Sequence, residues 1–381
     1  MTLGEGRSGR FAPGGVPRLL LWHWGRRGGG PKYTIELARA LAGREDIATS
    51  LSLSPQAEIY PDAMALGLPI FPVTTYRDRV SAVAALARLP SIRRRFRQHL
   101  MRNRIDVVVA TMSHIWHPVM VDAVKQAGAR LITVVHDAVA HPGDDYPLRR
   151  WMMRRELRYS DQIVALSRHV AGQLVREYDY PPSLITVIPH GVFPFGPVRR
   201  REPPIGRPFR FLFFGRLLPY KGLDLLLDAM ALLDPSVAVE LAIVGSGDLG
   251  SLEDRIAADP RIRLDRRWVP EGEVRLIFDA ADAIVSPYRE ASQSGVLAGA
   301  YGAGMPMIAT PIGGLTEQVA TYGAGLVADD MTAAAFARAM RRLATEPDLY
   351  RRCVENTLRT AAGPLSWPAI AGQFAGLLRD H

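Results

Sequence analysis

The chain has one cysteine, Cys353, in 381 residues. No intrachain disulfide can form, and a lone thiol suits a reducing compartment. Lysine is almost absent: Lys32, Lys125 and Lys221 stand against 44 arginines, a bias that reads as genome composition. No stretch of about 18 apolar residues is free of charge, so no membrane span is expected. Residues 1–16, MTLGEGRSGRFAPGGV, lack the apolar core of a signal peptide and read as a disordered leader. There is no HExxH or other metal-ligand spacing and no DxD triplet, so no metal and no cofactor are expected. No RNA- or DNA-binding signature occurs, which argues against a nucleic-acid partner.

What is present is an apolar fraction of 48%, enough for substantial cores, in a chain long enough for two domains. Residues 1–200 hold 28 Lys and Arg against 16 Asp and Glu, while the remainder holds 19 against 22. The positive balance therefore belongs to the first half, where it points to a polyanionic partner.

Buried-strand patterns recur through both halves. In the first they fall at Arg18–His23, Asp106–Thr111, Arg130–Val135, Gln162–Leu166 and Ile185–Ile188. In the second they fall at Arg210–Phe214, Glu240–Val244, Ile284–Ser286 and Met307–Ala309. Helix-like runs separate them, among them Tyr33–Leu41, His117–Ala127, Leu223–Leu232 and Val296–Tyr301. Strand and helix alternating in this way predict an α/β fold of two doubly wound, Rossmann-like domains. The expected division is 17–195 and 209–365, joined by a linker at 196–208 rich in Pro, Gly and Arg. An amphipathic helix is expected at 366–381, placed to pack back on the first domain.

Chemistry is expected at the strand-to-helix turns, where parallel sheets bind phosphates. Arg216 and Lys221 lie between a strand and the helix Leu223–Leu232, two cations suited to a pyrophosphate; a solvated turn is the plainer alternative. Ser292, Gln293, Ser294 and Gly295 precede a second helix, where uncovered amides could cradle an anion or Ser could merely cap. Glu290 lies one turn earlier, placed to hold sugar hydroxyls or to pair at the surface. Gly28, Gly29 and Gly30 form a turn that lets a phosphate or sugar approach the backbone, though the spacing is not GxGxxG. His136, with Asp137, ends a strand; His141-Pro142-Gly143 follows, and His190 sits before the linker. Such histidines reach ligands or are satisfied within the core. The runs Arg93–Arg97 and Arg149–Arg155 interleave Phe96, Trp151, Met152 and Met153 with arginine, the pattern of an interfacial helix on an anionic membrane or of a solvated face.

The segments GRLLPYKGLDLLLDAM, VIPHGV and PYREASQSGVLAGAYGAGMPMIATPIGGLTE resemble the nucleotide-sugar glycosyltransferases of family 4, with a GT-B fold, over about residues 17–375. The resemblance implies a retaining, metal-independent transferase taking a UDP- or GDP-sugar between its domains. It implies that Arg216 and Lys221 hold the donor pyrophosphate, that Gly29 and Gly30 line the cleft and that His136 lies near the donor sugar. Gly245, within Val244–Gly247, and Trp268, within Arg267–Val269, would approach the base. The catalytic set is then His136, Glu290, Arg216 and Lys221. The family pattern has two glutamates separated by seven residues. Here the second position falls on Ala298 or Gly299, as in a subgroup with an SQSGV-like loop. The acceptor implied is a glycan or lipid-linked molecule, met in the cytoplasm or at the inner membrane face, in polysaccharide or glycolipid synthesis. A sugar-nucleotide epimerase of the same fold and a non-catalytic sugar-nucleotide-binding protein are the alternatives.

Overall fold

The structure, a computed structural model, describes residues 15–76, 81, 85–139, 148–198 and 200–379. The leader's first 14 residues and His141-Pro142-Gly143 lie outside the described residues. The first sheet contains β1 (Arg18–His23), β2 (Ala48–Leu53), β3 (Ile70–Pro72), β4 (Val107–Ala110), β5 (Arg130–Val135), β6 (Gln162–Ala165) and β7 (Ile185–Val187), in the order 3-2-1-4-5-6-7. The second contains β8 (Phe209–Phe214), β9 (Val239–Gly245), β10 (Ile262–Arg266), β11 (Ala283–Ser286), β12 (Met307–Ala309) and β13 (Gly325–Val327), in the order 10-9-8-11-12-13. Every recorded pairing is parallel. Strands covered on both faces must be apolar throughout; VVVA in β4 and AIVS in β11 are buried along their whole length. Both sheets are the doubly wound α/β architecture expected of the sequence.

Each sheet reverses its winding at one point, between β1 and β4 in the first and between β8 and β11 in the second. Ligands of such sheets bind beyond the carboxyl ends of the strands at that reversal. The turns after β1 and β5 and those after β8 and β11 carry the residues singled out above.

The segment around the linker is fastened to the second domain. Arg201 donates to the carbonyls of Ala281, Ala303 and Phe278, and Arg275 donates to those of Phe195 and Pro197. The chain crosses back after residue 365. Trp367 Nε1 donates to the Val192 carbonyl at 2.6 Å, and the final helix, Trp367–Arg379, buries Ile370, Phe374 and Leu378 in the core of the first sheet.

The aromatic and methionine residues among the arginine runs are mostly core. Phe96 is fully buried and packs on Trp22, with ring centroids 5.0 Å apart, and on Trp24. Met152 and Met153 are buried, and only Trp151 of the four is exposed. Helical spacing explains the difference: one stripe of a surface helix faces the core whatever its neighbours in sequence. Interleaving with arginine therefore does not by itself describe a membrane face here.

Candidate functional site

A cavity of about 600 Å³ opens between the two reversal points, lined from both sheets. That size suits a small-molecule ligand. From the second sheet, β8 ends at Phe214 and the chain turns through Gly215 and Arg216 into the helix Leu223–Leu232. Gly222 caps that helix at φ 68°, and a Cβ there would lie 1.9 Å from the Pro287 carbonyl oxygen. Only glycine fits so close an approach in a left-handed conformation. This contact draws the turn after β8 against the turn after β11, so Arg216 and Lys221 reach the same cavity as Gln293, Ser294 and Gly295.

The Lys221 ammonium lies 3.7 Å from the ring centroid of the buried Tyr288, a cation–π contact that aims a long, flexible side chain. Burial pushes the Tyr288 phenol up, but the Lys221 charge and bonds to Ser294, Lys221 and Ser286 outweigh it, and the phenol ends below its ordinary value. Gln293 is buried, and both its Nε2 and Oε1 lack a partner among the described residues. A buried amide without partners is costly unless a ligand supplies them, and this one borders the cavity.

Ser292, the Ser294 amide and Glu290 are placed or engaged differently from Gln293. Ser292 is buried beside it rather than in it, its carbonyl accepting from Ser167 Oγ of the first domain at 3.0 Å. The Ser294 amide is already used, donating to Gln318 Oε1 at 2.7 Å. Glu290 lines a second, smaller cavity with Asp224 and Asp248, and Tyr220 borders both. The strand-end turn places Tyr288 inward and Arg289 and Glu290 outward, which the sequence run PYREAS does not reveal.

From the first sheet the cavity receives Arg26, Arg27, Gly28, Gly29 and Lys32 after β1, and His136 and Asp137 after β5. The helix begins at Gly29 rather than after the glycines, with Gly28 capping it at φ 85°. Gly30 is buried in its first turn instead of lining the cleft, and a Cβ there would lie 2.7 Å from Met112 Sδ. His136 Nδ1 is 2.6 Å from Asp137 Oδ2, which fixes the ring. His190 is a core residue: burial lowers its pKa to about 3, and it stacks edge-on against Tyr33 and Phe193.

Gly245, Arg267, Trp268 and Val269 also line the cavity from the second domain, with Trp268, about half exposed, at its lip. Gly299 also lines the cavity, but a Cβ there would meet the Phe195 ring at 3.2 Å. At Gly299, one of the two positions that the family pattern's second glutamate could take, the adjoining space is thus filled by Phe195. Three contributors escaped sequence reasoning: Tyr288, Gln318 and the pair of Lys32 with Glu271, which joins the domains across the cavity. Lysine scarcity was an available signal, since two of the three lysines line this cavity.

Residues 27–194 match the glycosyltransferase family 4 description, and residues 208–346 match glycosyl transferases group 1. The chain is 28% identical to the D-inositol 3-phosphate glycosyltransferase of Streptomyces griseus subsp. griseus, over 94% of this chain and 86% of the relative. It is also 28% identical to the enzyme of the same name from Streptomyces scabiei, over 99% and 97%. Among solved structures, Anabaena HepE in complex with UDP-glucose superposes with a TM-score of 0.72, at 18% identity, covering 96% of this chain and 100% of that one. At that identity the likeness speaks for the fold alone. Two matched regions that fall one on each domain, together with similarity along nearly the whole chain, make this protein a family 4 glycosyltransferase of GT-B architecture.

Proposed function

We propose that the enzyme transfers a sugar, with retention, from a nucleotide-sugar donor to a hydroxyl of an acceptor that enters from the first domain. One observation carries this reading: Arg216, Lys221 and the start of the helix Gly295–Gly302 converge on one cavity that His136 borders from the opposite domain. A diphosphate set against that helix start would meet two cations and outward-facing amides. As the glycosidic bond breaks, negative charge grows on the departing diphosphate, and fixed cations lower the energy of that state more than of the bound donor. His136, steadied by Asp137, lies where the transferred sugar would sit. The narrow cavity between the domains limits water near the developing cation. HepE binding UDP-glucose supports a UDP-sugar as the first donor to try, with GDP-sugars next.

For the acceptor, the names of the relatives favour a phosphorylated polyol, and Arg26 and Arg27 at the first domain's edge of the cavity suit an anionic group there. Arg27 is paired with Glu58 at 2.9 Å in the structure. A second reading, a lipid-linked acceptor at an anionic membrane, is favoured by the outer face of the helix Arg149–Tyr159. There Trp151 and the neighbouring Leu148 are exposed beside Arg150, Arg154 and Arg158. No described helix is long and apolar enough to cross a membrane.

A thermal-shift screen of UDP, GDP, ADP and their sugars tests the donor. Ligand at about 100 times its dissociation constant should add roughly 2.7 kcal/mol. Incubation with a labelled nucleotide sugar and inositol phosphates then tests transfer. Absence of any nucleotide-dependent shift sinks the donor assignment, and label that stays on the nucleotide sugar supports an epimerase. Sedimentation with anionic vesicles, reversed by salt, separates the two acceptor readings.

A further inference from the structure

We propose that Glu271 grips the two ribose hydroxyls of the donor and that Lys32, reaching from the other domain, sets its carboxylate in place. The inference rests on the nucleotide-sugar reading above.

A ribose diol presents two O–H donors side by side, and a carboxylate is the side chain best matched to both. Among the described residues, the second domain's share of the cavity contains one carboxylate, Glu271. Its other charged residues, Arg216, Lys221 and Arg267, are all cations. Glu271 is also placed between the two ends that a nucleoside diphosphate must span. It opens the helix Glu271–Asp279, three residues after Trp268 at the lip. Val274 and Phe278, one and two turns on along the same helical face, line the cavity too. Phe278 in turn reaches Gly299, whose added Cβ would lie 3.5 Å from its ring. The wall thus runs from the lip through Glu271 to the helix whose start faces Arg216 and Lys221.

The far end of this wall offers no acceptor of its own. Gly299 has no side chain, and Phe195 occupies the adjoining space. That stretch is apolar where a sugar ring needs an acceptor, which leaves Glu271 as the carboxylate on the second domain's side.

Lys32 explains how a surface glutamate can serve. The Lys32 ammonium bonds Glu271 Oε1 and lies 4.2 Å and 4.9 Å from the ring centroids of Phe195 and Phe193. Its side chain is only 15% exposed, against 64% for Glu271. The lysine is the anchored partner and the glutamate the reaching one. A carboxylate accepts several bonds, so Glu271 can keep Lys32 while it takes a hydroxyl. Because Lys32 belongs to the first domain, the grip is complete only when the domains stand as close as they do here.

The test compares ribose with 2′-deoxyribose ligands by calorimetry on the full chain: UDP against 2′-deoxy-UDP, and GDP against 2′-deoxy-GDP. Wild type should bind the ribose form about tenfold more tightly, the scale of one charge-assisted hydrogen bond at a partly exposed site. In Glu271→Ala the ratio should fall to about one, with the 2′-deoxy ligands weakened only by loss of the remaining 3′-hydroxyl bond and with an unchanged melting temperature showing that the fold is intact. Glu271→Gln should retain part of the ratio, and Lys32→Met should lower it without touching the phosphate contacts. An unchanged ratio in Glu271→Ala overturns the inference while leaving the nucleotide reading standing. If wild type binds none of the four ligands, the nucleotide reading itself fails and this inference falls with it.

Discussion

Gln318 holds Ser294 by both ends of its amide: the Ser294 N–H donates to Gln318 Oε1 at 2.7 Å, and Gln318 Nε2 donates to the Ser294 carbonyl at 3.2 Å. Ser294 caps the helix Gly295–Gly302 without a side-chain capping bond of its own. The shape of the turn is therefore set from the neighbouring helix Gly313–Ala320, not by the local Ser-rich sequence. A turn fixed before the donor arrives needs no rearrangement when charge develops beside it.

Replacing Gln318 by Ala should leave the Ser294 backbone groups without these partners in a buried setting, at a cost of about 1–3 kcal/mol. Thermal melts should show that loss. Steady-state kinetics should show kcat/KM down by roughly tenfold, on the scale of one misplaced donor group. Unchanged kinetics in a folded variant would mean that the clasp does not shape the site.

Arg216→Ala and Lys221→Ala should each lower turnover by roughly 10²–10³, the scale of losing one preorganised charge donor. Folding should survive in Arg216→Ala because that side chain is exposed. Lys221→Ala additionally removes the contact over Tyr288, so its phenol should titrate higher than in wild type. Ultraviolet titration of the phenols reads that shift, and single-turnover assays read the chemistry. Near-wild-type turnover in both variants would remove the diphosphate from this turn.

His136→Ala should lower kcat more than it weakens nucleoside-diphosphate binding, since the ring lines the cavity from the first domain while Arg216 and Lys221 line it from the second. Asp137→Asn keeps a hydrogen-bonding partner for His136 Nδ1 but not its charge and should cost about tenfold or less in kcat, by analogy with loss of an orienting group. Equal losses in kcat and in UDP affinity for His136→Ala would mark the residue as structural.

The scaffold was legible wherever burial leaves a continuous apolar run. Arg18–His23, Arg130–Val135 and Met307–Ala309 were read with the bounds observed. Ala48–Leu53 was missed: its sequence, ATSLSL, alternates polar and apolar residues although Ser52 is fully buried. Ile262–Arg266, IRLDR, is an edge strand facing water and carries no apolar run. The cationic turn was legible because Arg216 and Lys221 are adjacent to their strand. Glu290 was not, because whether a turn residue points into a cleft depends on which neighbour the buried Tyr288 displaces outward. Lys32 and Glu271 meet although 239 positions apart; no local pattern encodes such a pair.

Glu156 should make stability depend on pH in a direction opposite to that of the usual carboxylate. Its side chain is buried on the inner face of the helix Arg149–Tyr159, with Ser113 Oγ donating to Oε2 at 2.5 Å and Oε1 unpartnered among the described residues. Burial pushes its pKa from 4.5 up to about 7, with the Ser113 bond opposing the rise. Between those values the native chain holds a proton that the unfolded chain has released. Stability therefore falls as pH rises across that window and levels off above it, by about 3 kcal/mol in all. Glu156→Gln is uncharged at every pH and lacks this dependence. Relative to wild type, the variant should gain stability steadily from about pH 4.5 to about pH 7 and no further. The buried His23, lowered to about 4, slopes the other way below its ordinary value but is common to both proteins and cancels in the difference. Denaturant melts of the pair at pH 5, 6 and 7.5 read the difference directly. A difference that stays constant across all three would mean that Glu156 ionises in the fold as it does in water.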